Sequence, residues 1–72
     1  MPKLYSSAFI AKILLHHNFF LVSQKGSHMK FRKEEDTGVL TVILPANQRE
    51  IPFGTFRSIV RQSGLSSEDF ER

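Results

Sequence analysis

From His28 to Lys33 the chain sets His28, Lys30 and Arg32 alternately against Met29 and Phe31. Side chains on a strand point to opposite faces with a period of two, so this run has one charged face and one apolar face. A strand of that kind belongs in a sheet with one side packed and the other wet, the usual condition of an antiparallel sheet.

The flanking segments supply the rest of the layer. Phe9, Ile10, Ile13 and Leu14 recur at helical spacing and predict a helix over Ser7 to His17, with Ser6 or Ser7 as its cap. Asn18 suits the left-handed position that ends a helix. Phe19 to Gln24 is apolar and predicts a strand, followed by a turn at Lys25-Gly26-Ser27. Glu34 to Gly38 is expected to be a five-residue hairpin loop, and Val39 to Leu44 a third strand, apolar on both faces and stopped by Pro45. After an irregular stretch from Ala46 to Phe53, Thr55 is expected to cap a second helix with Phe56, Ile59 and Val60 facing inward. Arg57 and Arg61 then lie side by side at i, i+4. Gly64 ends that helix, Leu65 tucks back, Ser66 to Asp69 begin a last frayed turn, and Glu68 to Glu71 form a solvated tail. Tyr5 and Phe70, near the ends, are available to a partner interface. The order α-β-β-β-α predicts an α+β fold: a three-stranded antiparallel sheet with two helices packed on one face. Residues 1–72 are expected to form one domain.

At 72 residues, 40% hydrophobic and 24% charged, the composition is globular rather than disordered. A domain this small buries only about 60% of its unfolded surface, which leaves little room for an elaborate active site. The absence of cysteine excludes disulfide scaffolds, cysteine–zinc fingers and thiol nucleophiles, and suits a cytoplasmic protein. No apolar run approaches the roughly 18 residues a membrane span needs. Phe9 to Leu15 is interrupted by Lys12 and followed by no small-residue cleavage site, so no signal peptide is expected. Neither a Walker loop, GxGxxG, zinc-ligand spacing nor a Ser–His–Asp arrangement occurs, and no metal or small-molecule cofactor is expected.

Charge is unevenly divided. Residues 1–33 carry six lysines and arginines and no acid, while residues 34–72 carry four arginines against seven acids. A concentrated basic half favours a polyanionic partner, nucleic acid first, although lysines also serve simple solubility. Within that half, His28 shares a wet sheet face with Lys30 and Arg32 and follows Lys25-Gly26-Ser27. Cleaving RNA without a metal requires a base for the 2′-hydroxyl proton, cations at the phosphate oxygens, and an acid for the leaving 5′-oxygen. Imidazole, with an unperturbed pKa of about 6.5, suits the proton work. Lys25, Lys30 and Arg32 supply charge, Gly26 lets backbone approach a phosphate, and Ser27 offers a hydroxyl. The plainer reading is an exposed histidine of no consequence beside an ordinary turn. His16 and His17 are neighbours and point to different sides of a helix, so a helix-end role suits them better than catalysis. Phe19, Phe20, Phe31, Phe53 and Phe56 are expected in the core, except whichever of Phe19 and Phe20 reaches the open face. Gly26-Ser27-His28-Met29 also matches the scar of a cleaved affinity tag, but here it is internal and flanked by strand-like sequence.

Two blocks carry a family resemblance. Lys25-Gly26-Ser27-His28 before an alternating strand is similar to the HicA (YcfA-like) mRNA interferase toxins. So are the Leu44-Pro45 step, Gly54-Thr55-Phe56-Arg57-Ser58-Ile59 in the last helix, and Gln62-Ser63-Gly64-Leu65-Ser66. The resemblance spans roughly Ser7 to Phe70. It implies a fold like the double-stranded-RNA-binding domain, ribosome-independent endonuclease action on mRNA, His28 as the catalytic residue, and neutralisation by a HicB-type antitoxin. Members often have a second histidine shortly after the Leu-Pro step, where this chain has Asn47. Asparagine can hydrogen-bond a phosphate or 2′-hydroxyl but cannot exchange protons near neutral pH. If that position is catalytic in relatives, this chain is slower or uses Lys25 or Lys30 as the acid; if it only positions RNA, little changes. Arg57 and Arg61 thinly replace the lysine block that duplex-RNA-binding domains carry at the last helix, which favours single-stranded over long duplex RNA. The expected RNA-binding set is thus Lys25, Gly26, Ser27, Lys30, Arg32, Asn47 and Arg57, around His28. The different-class alternative is a non-catalytic RNA-binding module on the same basic face; a third is a partner-binding domain that makes no RNA contact.

Overall fold

Ser6 starts the first helix. Its extended backbone and its hydroxyl, which accepts the Phe9 N–H at 3.1 Å, cap α1 (Ser7–His16) in the computed structural model, which describes residues 4–71. The helix closes one residue earlier than expected. Asn18 takes φ +72°, the Phe19 N–H reaches the Leu14 carbonyl (3.0 Å) and the Asn18 N–H the Leu15 carbonyl (3.2 Å). These are the paired bonds of a Schellman ending, with asparagine in the left-handed place.

Three strands follow as an antiparallel meander in the order β1 (Phe20–Lys25), β2 (His28–Glu35) and β3 (Gly38–Pro45). The alternation of β2 fixes the faces. Phe31 lies opposite Val42, and Met29 opposite Leu44. Phe31, Val42 and Leu44 are buried with Ile10, Ile13 and Leu14 of α1, and with Phe56 and Ile59 of α2 (Phe53–Ser63). The other face carries His28, Lys30 and Arg32 opposite Pro45, Ile43 and Thr41. It stays open: Ile43 is 38% exposed between the fully buried Val42 and Leu44. The order α-β-β-β-α and the three-stranded antiparallel sheet with two helices are therefore as expected. Gln62 of α2 also accepts the Ile43 N–H on the outer edge of β3 (3.0 Å), so a helix side chain occupies part of an otherwise unpaired strand edge.

Several local expectations are corrected. The β2–β3 connection is not a five-residue loop. Glu35 pairs with Gly38, which leaves only Asp36 and Thr37 in the turn. The acids at the end of β2 remain strand because their side chains are solvated and because Lys33 pairs with Glu35 at 3.4 Å. Thr55 does not cap α2. The helix begins three residues earlier, at Phe53, with Pro52 at φ −55° as its N-cap and the Pro52 carbonyl accepting the Phe56 N–H (2.9 Å). Proline has the φ that a helix entry accepts but no side-chain acceptor, so the first N–H groups of α2 receive no side-chain cap. Nor is the end of the chain a solvated tail open to partners. Ser66 and Asp69 form a capping box on a 3-10 turn (Ser67–Phe70), and Phe70 is fully buried, edge-on to Phe56 at 5.5 Å. Tyr5 is half-buried and stacks on Phe9 at 5.0 Å. Phe53, expected in the core, is 44% exposed.

Ser7 locks the start of α1 to the end of β3. Its buried hydroxyl donates to the Pro45 carbonyl (2.6 Å) and accepts the Gln48 N–H (2.9 Å), while its own N–H donates to the Gln48 carbonyl (2.9 Å). Ser7→Ala removes both of these part-buried side-chain hydrogen bonds and is expected to destabilise the fold by about 1–3 kcal/mol, measured by chemical denaturation. Among the described residues no helix is long and apolar enough to cross a membrane.

Candidate functional site

The β1–β2 turn is two residues long because Gly26 occupies φ +56° as its first central residue, the preference of a tight hairpin turn. Lys25 and His28 close the hairpin as paired residues. The Ala46 N–H donates to the Ser27 carbonyl at 2.7 Å, which holds the turn against the end of β3. The Gly26-Ser27-His28-Met29 sequence is thus integral to the sheet.

Cross-strand pairing arranges the open face in three rows. Lys25, His28 and Pro45 form the first, Ser23, Lys30 and Ile43 the second, Phe20, Arg32 and Thr41 the third. Successive rows along β2 are about 7 Å apart. Lys25, His28 and Lys30 are exposed, and Arg32 is half-buried. No acid falls in these rows; the next residue of β2 on this face, Glu34, lies beyond Arg32 opposite Val39. The face therefore presents one imidazole among three cations. Ser23, Lys25, His28, Met29, Lys30 and Ile43 line an open groove of about 230 Å³. Chemically, the lining brings together an imidazole and two lysine cations, beside a glycine turn through which backbone can approach an anion.

Lys25 reaches this face through an irregularity. Lys25 and Phe20 are five positions apart, so strict alternation would put them on opposite sides. Between Leu21 and Ser23 the register shifts by one residue, Val22 being the extra one, and both residues return to the open face. A bulge of this kind re-aims side chains beside functional sites.

The other expected residues divide. Asn47, exposed at φ +59°, follows Ala46 and so stands at the His28 end of the sheet. Gly26 and Ser27 form the turn itself. Arg57 is exposed on α2, whose buried face packs on the opposite side of the sheet, and it is not brought to the rows. Neighbouring Arg61 donates to the Ser58 hydroxyl at 3.3 Å. His16 and His17 terminate α1 ahead of Phe20, at the far end of β1 from Lys25. Among the described residues no three His, Asp or Glu side chains gather into a group able to hold a metal ion. Sequence reasoning missed Ser23 and Ile43 as groove walls, because the bulge hides the parity of β1 and the third strand is apolar on both faces.

The family model described as "HicA toxin of bacterial toxin-antitoxin" matches residues 9–65, well over half of the chain and including the whole sheet. No curated protein is similar enough to match.

Proposed function

The chain belongs to the HicA toxins of bacterial toxin-antitoxin systems, and from that premise we propose that it is a cytoplasmic, metal-independent endoribonuclease acting on mRNA. As a toxin of such a system it has an antitoxin for a partner. The observation that carries the enzymatic reading is the exposed imidazole of His28 in a groove flanked by Lys25 and Lys30. In this reading His28 takes the 2′-hydroxyl proton of a bound ribose. The freed oxygen attacks the adjacent phosphorus, the bond from phosphorus to the 5′-oxygen breaks, and that oxygen leaves with a proton donated by Lys25 or Lys30. A 2′,3′-cyclic phosphate and a 5′-hydroxyl result. Lys25, Lys30 and Arg32 hold phosphate oxygens as charge develops on them. Ser27 and Asn47 hydrogen-bond phosphate or ribose hydroxyls at the same end of the sheet.

The antitoxin is a HicB-type protein that covers the His28 face, excluding RNA and neutralising the cations. Charge complementarity of this kind sets partner choice and speeds encounter.

Purified protein should degrade a long single-stranded RNA in the presence of EDTA. Intact RNA with retained, salt-sensitive binding would instead indicate a non-catalytic RNA-binding module. Lys30→Ala should weaken RNA binding and flatten its salt dependence by about one phosphate contact, with little change in melting temperature, since Lys30 is exposed and has no packing role. Filter binding across a salt series measures the first effect and thermal melting the second.

A further inference from the structure

Phe19, just before β1, and Phe20, its first residue, have opposite fates. Phe19 is buried, with the Lys33 ammonium 5.7 Å from its ring centre. Phe20 is 48% exposed on the open face, in register with Arg32. An exposed aromatic ring on a cationic sheet face is poorly explained by packing. Arg32 adds a second oddity: its Nε is shielded from solvent yet has no hydrogen-bond partner. The third row thus joins an open ring, a guanidinium and, on β3, the Thr41 hydroxyl.

Unpaired nucleobases are held by this pairing of groups. They stack on aromatic rings and on arginine planes, and polar groups alongside read their edges. Bases in a duplex keep their faces covered by neighbours and cannot stack on protein in this way. The third row lies four residues along β2 from His28, about 14 Å away. An RNA strand running along β2 would pass the reacting ribose at His28, set a phosphate beside Lys30, and bring a flanking base to Phe20.

Building on the ribonuclease reading above, we propose that Phe20 and Arg32 form a base-stacking subsite for an unpaired nucleotide flanking the scissile bond, and that this subsite confines the toxin to single-stranded RNA. Phe20 is then a positioning residue that acts through substrate binding, separate from the proton chemistry. The cations of the neighbouring rows, with no acid among them, favour RNA over an apolar protein segment as the occupant.

The test uses the full chain carrying His28→Ala, which binds without turnover, and short single-stranded RNAs with 2-aminopurine at successive positions. Quenching should concentrate at one position. Adding Phe20→Ala should abolish it and weaken binding roughly 5- to 150-fold, while Phe20→Trp should retain it. Phe20→Leu keeps the bulk and removes the aromatic face, so it decides the matter should the alanine variant not fold. Equal binding and quenching by the leucine variant and the parent would overturn the proposal. So would unchanged RNA binding accompanied by lost antitoxin binding, which would make Phe20 a protein contact. In the background with His28 intact, loss of Phe20 should raise KM and leave kcat nearly unchanged. Quenching at Phe20 without cleavage by the otherwise unaltered chain would leave the subsite standing and remove the ribonuclease reading. Cleavage unaffected by Phe20→Leu would do the reverse.

Discussion

His28→Ala is expected to lower RNA cleavage by about 10²- to 10⁴-fold, the usual share of a general acid–base group, while the melting temperature stays near that of the parent. The two halves of this expectation have separate causes. His28 is exposed at the hairpin end, so removing its ring opens no cavity. Its backbone still pairs with Lys25 and Pro45, so the turn and the cations beside it remain. RNA binding should therefore largely survive, carried by Lys25, Lys30 and Arg32. Single-turnover cleavage, with melting and binding measured on the same preparation, separates these effects. Persistent cleavage by a folded variant would move the proton transfer to another residue.

Phe31→Ala should have the largest effect on stability, about 3–5 kcal/mol, as a truncated core aromatic. Phe31 is 2% exposed and sits at the centre of the middle strand, with Leu21 and Val42 as cross-strand partners. At roughly 0.05–0.15 kcal/mol per residue, a domain of this length has about 4–11 kcal/mol to lose. Urea denaturation should show a midpoint reduced by about a third or more, or no cooperative transition at all. Lys30 is only one position away. Comparable losses from Phe31→Ala and Lys30→Ala would mean that the faces of β2 are reversed.

Those faces were legible because β2 obeys strict alternation and pairs on both sides. One strand with a clear period of two was enough to place His28, Lys30 and Arg32 together in the open. Asn18 was legible for a local reason, since few residues other than glycine accept a left-handed backbone. The β1 face was hidden, because a bulge at Val22 breaks parity without leaving a mark in composition. Charge also misled at two places. Glu34 and Glu35 resembled a loop but extend a strand whose outer end is wet, and the acids near the end of the chain disguised Phe70, which turns inward and seals the core against Phe56. Asn47 was found only through family resemblance; its place near the site follows from the pairing of Pro45 with His28 and from the Ala46–Ser27 bond, neither of which periodicity reveals. Arg57 was suggested by comparison with duplex-RNA-binding domains, whereas the fold leaves it on the helical layer.

The central claim is that an imidazole in the open groove drives attack by the substrate's own 2′-oxygen. It is tested most directly by mapping a cleavage position on an all-ribose oligonucleotide in EDTA, and then removing the 2′-hydroxyl at that nucleotide alone. Products ending in a 2′,3′-cyclic phosphate, and complete loss of scission at the deoxy position with binding retained, are the expected result. Continued scission there, or fragments bearing a 5′-phosphate, would show that another nucleophile does the work.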